Sequence, residues 1–446
     1  MKTILPMAKP LDGLLGAQRL KEGEPCRLMR YVVQQPVEGG LLLYHVLTKA
    51  VVLLDEDEAL RLSADPASVP GLVEGWFAVP LSHDDRKLAL QVRAVGKMLE
   101  KPVRRVRSFT ILTTTDCNAR CFYCYEKGRS RIPMRDETVV EVARYIVRNA
   151  AGESVRIRWF GGEPLYNKGV ITRICRLLQD AGVGYKSEMV SNGYLFDEKT
   201  VEEAVSLWNL AKVQITLDGT ESVYNRAKAF IYPEGSAFRR VIGNMHLLVG
   251  AGIRVTVRLN VDRHNAEDLF SLADQLRAEF GGEALLNVYS HPLFEGCSDE
   301  AAVHHSDVQR KALYDSRMRL QQKLQEAGFS RLGKLRHTLK LNHCMADNDG
   351  SVVILPDGHV GKCEHYTDSG WFGHVTEEGW DEKVRVSYKE LREELDTCRD
   401  CAFYPDCIRL VKCEESVHCY PEEREEKLAE IRTQLLSYYR SHEVSD

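Results

Sequence analysis

A chain of 446 residues exceeds one ordinary domain of about 100–200 residues, so two or three domains are expected. Its 44% hydrophobic and 28% charged residues are the balance of a globular protein, not of a disordered or fibrous one. A formal net charge of −5 leaves no basic surplus to draw nucleic acid or anionic lipid, and the basic run Lys101 to Arg107 reads as a solvated connector. No apolar run approaches the about 20 residues of a membrane span, and Met1 to Leu20 lacks a signal-peptide cleavage site. The expectation is a cytoplasmic protein with no nucleic-acid and no membrane partner. In that compartment thiols stay reduced, so the 13 cysteines read as ligands before disulfides.

Residues 1–100 open with short β-rich runs, Arg27 to Val37, Leu41 to Thr48 and Ala50 to Leu54, with Gly39-Gly40 as a turn between the first two. Helical patterns follow over Glu56 to Leu62 and Asp84 to Leu99, where Leu88, Leu90, Val92, Val95 and Leu99 recur at near-helical spacing. Three strands and a few helices suit a small winged-helix module. From 105 to 300 the rhythm changes. Apolar, β-branched runs at Phe109–Thr114, Val155–Phe160, Ser187–Val190, Val213–Leu217, Val255–Val261 and Leu285–Tyr289 alternate with amphipathic stretches at 134–149, 168–181, 197–208, 236–250 and 266–280. Alternation of this kind predicts βαβ units on a parallel sheet, an α/β fold. Six units are too few for the closed eight-stranded barrel and predict an open, partial (β/α)6 TIM-like one, with its site beyond the C-terminal strand ends. A helical bridge (301–339), with one long helix near 306–327, leads to a region (340–420) with few periodic elements and seven cysteines. A charged helix within 421–446 closes the chain.

The first predicted strand runs into Cys117, Cys121 and Cys124. Three thiolates within eight residues can wrap one metal centre. A structural zinc site would want a fourth, closed ligand, whereas a four-iron cluster on three thiolates keeps one iron open for a cofactor. The other strand ends bear on this choice. Strand two ends at Gly161-Gly162-Glu163-Pro164, where glycines allow close backbone approach and Glu163 can accept from an ammonium. Strand three ends at Ser191-Asn192-Gly193 and strand four at Asp218-Gly219. Each alone is a turn; in this order, after Cys-x3-Cys-x2-Cys, they form a pattern.

That pattern resembles the radical S-adenosylmethionine (radical SAM) superfamily over roughly 105–300. The resemblance implies that Cys117, Cys121 and Cys124 hold a [4Fe-4S] cluster whose open iron chelates S-adenosylmethionine. Reduction of the sulfonium would then give a 5′-deoxyadenosyl radical that takes a hydrogen atom from a substrate. Gly161, Gly162 and Glu163 would hold the methionine amino group, Ser191 and Asn192 would lie near ribose and carboxylate, and Tyr123 would pack by the adenine. An arginine for the carboxylate would be Arg226 or Arg258. An electron donor such as flavodoxin or ferredoxin is implied as a partner.

Further on come Cys344, Gly358 and Cys363, then Cys398-x2-Cys401-x5-Cys407, Cys413 and Cys419. So many cysteines with few aliphatic runs suggest a fold held by metal centres; two zinc sites are the alternative to clusters. The segment resembles the SPASM extension of peptide-modifying radical SAM enzymes, except that Cys413 follows Cys407 by six positions where the usual pattern has four. Carried over, Cys398, Cys401, Cys407 and Cys419 would hold an outer auxiliary cluster, and Cys344, Cys363 and Cys413 an inner one, three clusters in all. The inner set has only three thiolates, leaving either an open iron or a fourth ligand from His337 or His343. Of the remaining cysteines, Cys26 and Cys175 read as small hydrophobes and Cys297 as an incidental loop residue or accessory thiol.

SPASM enzymes act mostly on peptides, and the N-terminal pattern resembles the element that binds a precursor's leader, where an extended peptide adds a strand to a sheet edge. The reading is a maturase of a ribosomally made precursor peptide that installs a crosslink, foremost a cysteine thioether. Glu364, after Cys363, stands where sulfatase-maturating relatives carry a catalytic aspartate and would be a base or a structural residue. Formylglycine formation or epimerisation are alternatives within the class. A metal-stabilised peptide-binding scaffold without chemistry is the alternative outside it.

Overall fold

A computed structural model describes residues 1–21, 23–100, 103, 105–232, 234–293, 307–330, 333–413 and 419–443. In chain order the first elements are β1 (Lys2–Leu5), α1 (Lys9–Leu15), β2 (Cys26–Leu28), β3 (Val32–Val37), β4 (Gly40–His45), β5 (Val51–Asp55), α2 (Glu56–Ala64), β6 (Ala78–Pro80) and α3 (Asp85–Leu99). The alternating stretch gives β7 (Ser108–Leu112), α4 (Asp136–Ala150), β8 (Val155–Phe160), α5 (Lys168–Asp180), β9 (Tyr185–Ser191), α6 (Glu198–Ser206), β10 (Leu210–Leu217), α7 (Glu221–Lys228), α8 (Ala237–Gly250), β11 (Arg254–Val261), α9 (Ala266–Phe280), β12 (Leu286–Pro292) and α10 (Asp307–Glu326). Last come β13 (Ser351–Ile354), β14 (His359–Gly361), β15 (Gly373–His374), α11 (Glu382–Ser387) and α12 (Pro421–Glu443). Among the described residues no helix is long and apolar enough to cross a membrane.

The chain divides into two compact units. The first comprises 1–102, 332–343 and 390–446. Its sheet is antiparallel in the order β1-β5-β4-β3, beside a small β2–β6 pair. Gly40 opens β4 because a Cβ there would stand 2.0 Å from the Leu54 carbonyl oxygen. Asp55 accepts from the Glu58 amide while the Glu58 carboxylate accepts from the Asp55 amide, and this capping box starts α2. Tyr31, Val33 and Tyr44 share a core with Leu335 and with Leu435 and Tyr439 of α12. The sequence reading anticipated three strands here; the fourth, β1, comes from the short Lys2–Leu5 run.

The second unit comprises 103–331 and 344–389. Strands β7 to β12 are parallel in consecutive order, as βαβ units require. One face is apolar: Ile157, Trp159, Val213, Ile215, Val255 and Val257 bury against Ile146, Ile174, Met245 and Leu272 of the helices. The opposite face carries polar side chains that reach across strands, as between Arg158 Nη2 and Glu188 Oε1 (2.5 Å), Tyr289 and Gln214 (3.4 Å), and Arg258 and His291 (3.1 Å). A packed eight-stranded barrel fills its interior with branched aliphatics; this partial one is lined for polar company. The sheet also extends past β7, where β13 pairs in parallel and β14 and β15 follow antiparallel, giving nine strands of mixed direction.

Candidate active site

The loop leaving β7 carries Cys117, Cys121 and Cys124, and three segments of the second unit fix its path. The Gly162 and Glu163 amides donate to the carbonyls of Thr114 and Asp116, each at 3.0 Å. Gly161 has φ of +126°, and a Cβ on it would stand 2.1 Å from the Thr114 oxygen; on Gly162 it would stand 2.4 Å from the Asp116 oxygen. Only glycines let these loops touch. On another side the Thr115 hydroxyl donates to the Ser130 carbonyl (2.6 Å) and accepts from the Ile132 amide (2.7 Å). From α7 and beyond, the Lys228 carbonyl accepts from the Arg120 amide (2.8 Å), and the Ile231 amide donates to the Asn118 carbonyl (2.9 Å).

The three thiols feel one another. Burial first, then Glu163, and also Cys121 and Cys124, push the Cys117 thiol up to about 12. Burial likewise pushes Cys124 up to about 11 and raises Cys121. Among the described residues no three His, Cys, Asp or Glu side chains form a preformed chelate for a single ion. The fit of a larger group therefore rests on the shared position of the thiols and on what surrounds them.

Glu163 is fully buried and ties two strand ends together. Its Oε1 accepts from the Ser191 hydroxyl (2.8 Å) and the Leu165 amide (3.1 Å), and its Oε2 from the Asn192 amide (2.8 Å). Burial pushes this carboxyl up to about 7 in spite of those three donors. A carboxylate offers about four acceptor positions, so one stays open for an ammonium. The Asn192 amide nitrogen donates to Asn118 Oδ1 (2.6 Å) and lies 3.7 Å from Cys117 Sγ. Gly161, Gly162, Glu163, Ser191 and Asn192, named from two stretches of sequence, thus meet the first cysteine in one place.

Beneath the loop lies a second polar group. The Tyr123 hydroxyl donates to Asp218 Oδ2 (2.7 Å) and accepts from Lys228 Nζ (2.6 Å). Lys228 also donates to Thr216 Oγ1 (2.6 Å) and pairs with Asp218 at 2.9 Å, and Asn260 donates to Asp218 Oδ1 (2.9 Å). Burial works against a charge on Lys228, yet Asp218 and Cys121 outweigh it, and its pKa is raised. Lys228 and Asn260 were not among the sequence candidates. Arg226 is exposed on α7, and Arg258 lies on the polar face of β11 beside His291. Lys228 is a buried cation packed against the cysteine loop.

Among the buried donors of the described residues without a hydrogen-bond partner are Asn118 Nδ2, next to Cys117, and the Tyr224 hydroxyl, which lies within electrostatic reach of Asp218, Cys121 and Glu163. Unfilled donors, an open carboxylate position and three clustered thiols suit a cluster bearing a ligand with both an ammonium and acceptor oxygens.

The other cysteines divide between the units. Cys344 is exposed and Cys363 half-buried in the second; Cys413 belongs to the first. Half-buried Glu364 lies within electrostatic reach of Tyr125, whose ring stacks on His365 at 4.5 Å between centroids. In the first unit burial raises the Cys401 thiol, and Cys407, Cys419 and Cys398 lie within electrostatic reach of it and raise it further. Lys427 Nζ stands 3.8 Å from Cys407 Sγ. The His337 ring packs edge-on against Tyr438, and His343 is half-buried. Cys175 is buried in the core of the second unit and Cys26 lies 3.7 Å from Asp65; Cys297 falls outside the described residues.

Comparison with known proteins accords with this geometry. Residues 111–276 match the Radical SAM superfamily. The GTP 3',8-cyclase of Clostridium perfringens (strain 13 / Type A) is 22% identical over 275 residues, 60% of this chain and 84% of the cyclase. The structure of anSMEcpe with bound AdoMet, which is S-adenosylmethionine, matches with a TM-score of 0.57 at 14% identity, over 76% of this chain and 95% of its own. Streptococcus suis SuiB bound to precursor peptide SuiA matches with a TM-score of 0.52 at 13% identity, over 86% of this chain and 94% of its own. At such identities the structures speak for the fold. The family match spans the cysteine triplet and the strand ends that close on it, and over 111–276 the chain carries a radical SAM domain.

Proposed function

We propose that the chain is a SPASM-type maturase of a ribosomally made precursor peptide, working with S-adenosylmethionine and three [4Fe-4S] clusters. What supports a peptide substrate is the fold shared with SuiB, which extends over 86% of this chain, well beyond the radical SAM stretch. SuiB is bound there to a precursor peptide, and anSMEcpe to AdoMet and a Cp18Cys peptide. In this reading residues 1–100 hold the leader, 105–300 the cofactor, 340–420 the auxiliary clusters, and 301–339 and 421–446 bridge and close the chain.

Cys117, Cys121 and Cys124 would hold the first cluster, and the cofactor, when bound, supplies a carbon-centred radical by reductive cleavage. The chain's own residues then have defined work. Glu163 receives the methionine ammonium in its open acceptor position. Lys228, kept charged by Asp218, commits its three N–H groups to Tyr123, Thr216 and Asp218 and braces the loop, while Asn118 and Tyr224 are the donors left for a carboxylate. Cys398, Cys401, Cys407 and Cys419 hold the outer auxiliary cluster, and Cys344, Cys363 and Cys413 the inner one. An iron left open there would take a soft ligand, a substrate thiolate, and hold its sulfur beside the reacting carbon. The outcome we favour is a cysteine thioether, with Glu364 as a candidate base.

The test is metal content and product mass together. Anaerobically reconstituted protein should hold about twelve irons, four per cluster, and changing Cys117, Cys121 and Cys124 to alanine should leave about eight and abolish cofactor cleavage. A modified peptide lighter by two hydrogens fits a crosslink; an unchanged mass means epimerisation. Zinc instead of iron in the C-terminal region would overturn the cluster assignment.

A further inference from the structure

The face of the parallel sheet turned away from the helices carries more positive charge than the fold itself requires. Successive side chains on a strand point to opposite faces, so those alternating with Ile157, Met189, Val213 and Val255 of the apolar face line the other one. On β8 to β11 these include Arg156, Arg158, Lys186, Lys212, Arg254 and Arg258 against a single carboxylate, Glu188, a formal +5 within a chain of −5. The register sets like charges side by side: Arg156 is directly opposite Lys186, and Lys212 directly opposite Arg254. Neighbouring strands are about 4.8 Å apart, and like charges so placed destabilise a sheet. Glu188 is taken by Arg158 at 2.5 Å. Arg156, Lys186 and Arg254 are exposed, and none of the three forms an ion pair among the described residues.

A chain that keeps such a local conflict gains from it elsewhere, and the places where this happens are functional ones. An anion seated between the opposed cations would turn repulsion into attraction. The face also leads to the candidate active site. Arg254, Arg258 and Asn260 share it on β11, and Asn260 donates to Asp218 beneath the cysteine loop (2.9 Å). At about 3.3 Å per residue the line from Arg254 to Asn260 is about 20 Å, the reach of an extended peptide of about six residues. The net charge of −5 works against a long polyanion such as nucleic acid and favours a short acidic segment.

We propose that this face docks an acidic stretch of the peptide substrate, with carboxylates between Arg156 and Lys186 and between Lys212 and Arg254. The proposal rests on the peptide reading above and deepens it: the substrate class is peptides carrying Asp or Glu about six positions from the residue that reacts.

The test uses a fluorescein-labelled dodecapeptide of alternating Glu and Gly, and the same peptide with Gln for Glu, titrated by anisotropy into anaerobic holoenzyme. The Glu peptide should bind with a Kd that rises with salt, and the Gln peptide should not bind. In Lys186→Gln/Arg254→Gln the Kd for the Glu peptide should rise by about three- to tenfold. The midpoint of unfolding in denaturant should hold or rise in that variant, because each change relieves an opposed pair. Lys199→Gln/Arg277→Gln makes the same charge change at exposed positions of α6 and α9 and should keep the parental Kd. Equal binding of the two peptides, an equal loss in both variants, or a fall in the unfolding midpoint overturns the proposal. So does tighter binding of a single-stranded RNA dodecamer, which would make the face a nucleic-acid site. No turnover is involved, so the outcome is separate from that of the maturase reading: if the Glu peptide binds as expected while no precursor changes, that reading fails and this face stands.

Discussion

Lys228 Nζ and the Asp218 carboxylate lie 2.9 Å apart with 3% and 2% of their side chains exposed, directly beneath the cysteine loop. Two charges brought out of water together hold each other in place, but neither tolerates the loss of its partner. Lys228→Met leaves Asp218 buried and unpaired, and we expect a loss of about 3–5 kcal/mol of unfolding free energy in denaturant titrations. Lys228→Arg keeps the charge and should recover part of it. If the buried positive charge also acts across the loop on the cofactor's carboxylate, the Kd for S-adenosylmethionine will rise in Lys228→Met and recover in Lys228→Arg, whereas a lysine that only braces Tyr123, Thr216 and Asp218 would leave Kd of the folded fraction unchanged.

Glu163→Gln probes the other half of the site. Glutamine retains one acceptor oxygen but turns an amide NH2 toward either the Asn192 amide or the Ser191 hydroxyl. A hydrogen bond to a charged group is worth about 1.5–3 kcal/mol, so cofactor affinity measured by calorimetry should drop by roughly tenfold or more. Iron bound through Cys117, Cys121 and Cys124 should remain, because those thiols are not changed. Unaltered affinity would remove Glu163 from the cofactor site and leave it as the knot between Ser191, Asn192 and Leu165.

The sequence reading reached the strands through their composition: β-branched residues alternate on β10 and β11 because one face packs on helices and the other lines the barrel. It missed β13, β14 and β15, which are two to four residues long and carry too little pattern. It also overlooked α7, a polar helix whose buried residues, Tyr224 and Lys228, are four apart and so share a face. That spacing was the signal available for Lys228. Arg226, two positions earlier, points about 200° around the same helix, which is why it is exposed. Glu163, Ser191 and Asn192 were legible as strand ends, but their mutual hydrogen bonds depend on loop paths that only the glycine contacts at 161 and 162 fix.

Gly161 should therefore be among the least replaceable residues. Gly161→Ala places a Cβ 2.1 Å from a backbone oxygen at a φ that side chains rarely adopt, so the cysteine loop must shift. We expect loss of the first cluster's iron, about four per chain, with the auxiliary iron retained. Gly169→Ala is the control. It lies in α5 with nothing within 4 Å of the added Cβ, and should stabilise by about 0.5–1 kcal/mol with normal iron content. Full iron in Gly161→Ala would show that the two loops need not touch.

His45 sets a pH dependence in the first unit. Its ring is fully buried; Nδ1 accepts from the amides of Leu47 (3.2 Å) and Thr48 (3.3 Å), so Nε2 carries the proton and donates to the Trp76 carbonyl (3.1 Å). A second proton at Nδ1 would face two N–H donors. Burial accordingly lowers its pKa to about 4, against about 6.5 in an unfolded chain. Between these values the unfolded chain takes up a proton that the native one refuses. The stability contributed by neutral His45 is therefore whole above pH 6.5, is lost as pH falls toward 4, and levels off below that, a difference of about 3 kcal/mol. In His45→Asn, unfolding free energy plotted against pH should be flatter by up to one proton across pH 6.5 to 4, about 1.4 kcal/mol per pH unit, whatever its absolute stability. An identical slope in parent and variant would mean that His45 protonates in the folded protein, and that the hydrogen bonds at Nδ1 yield to admit the charge.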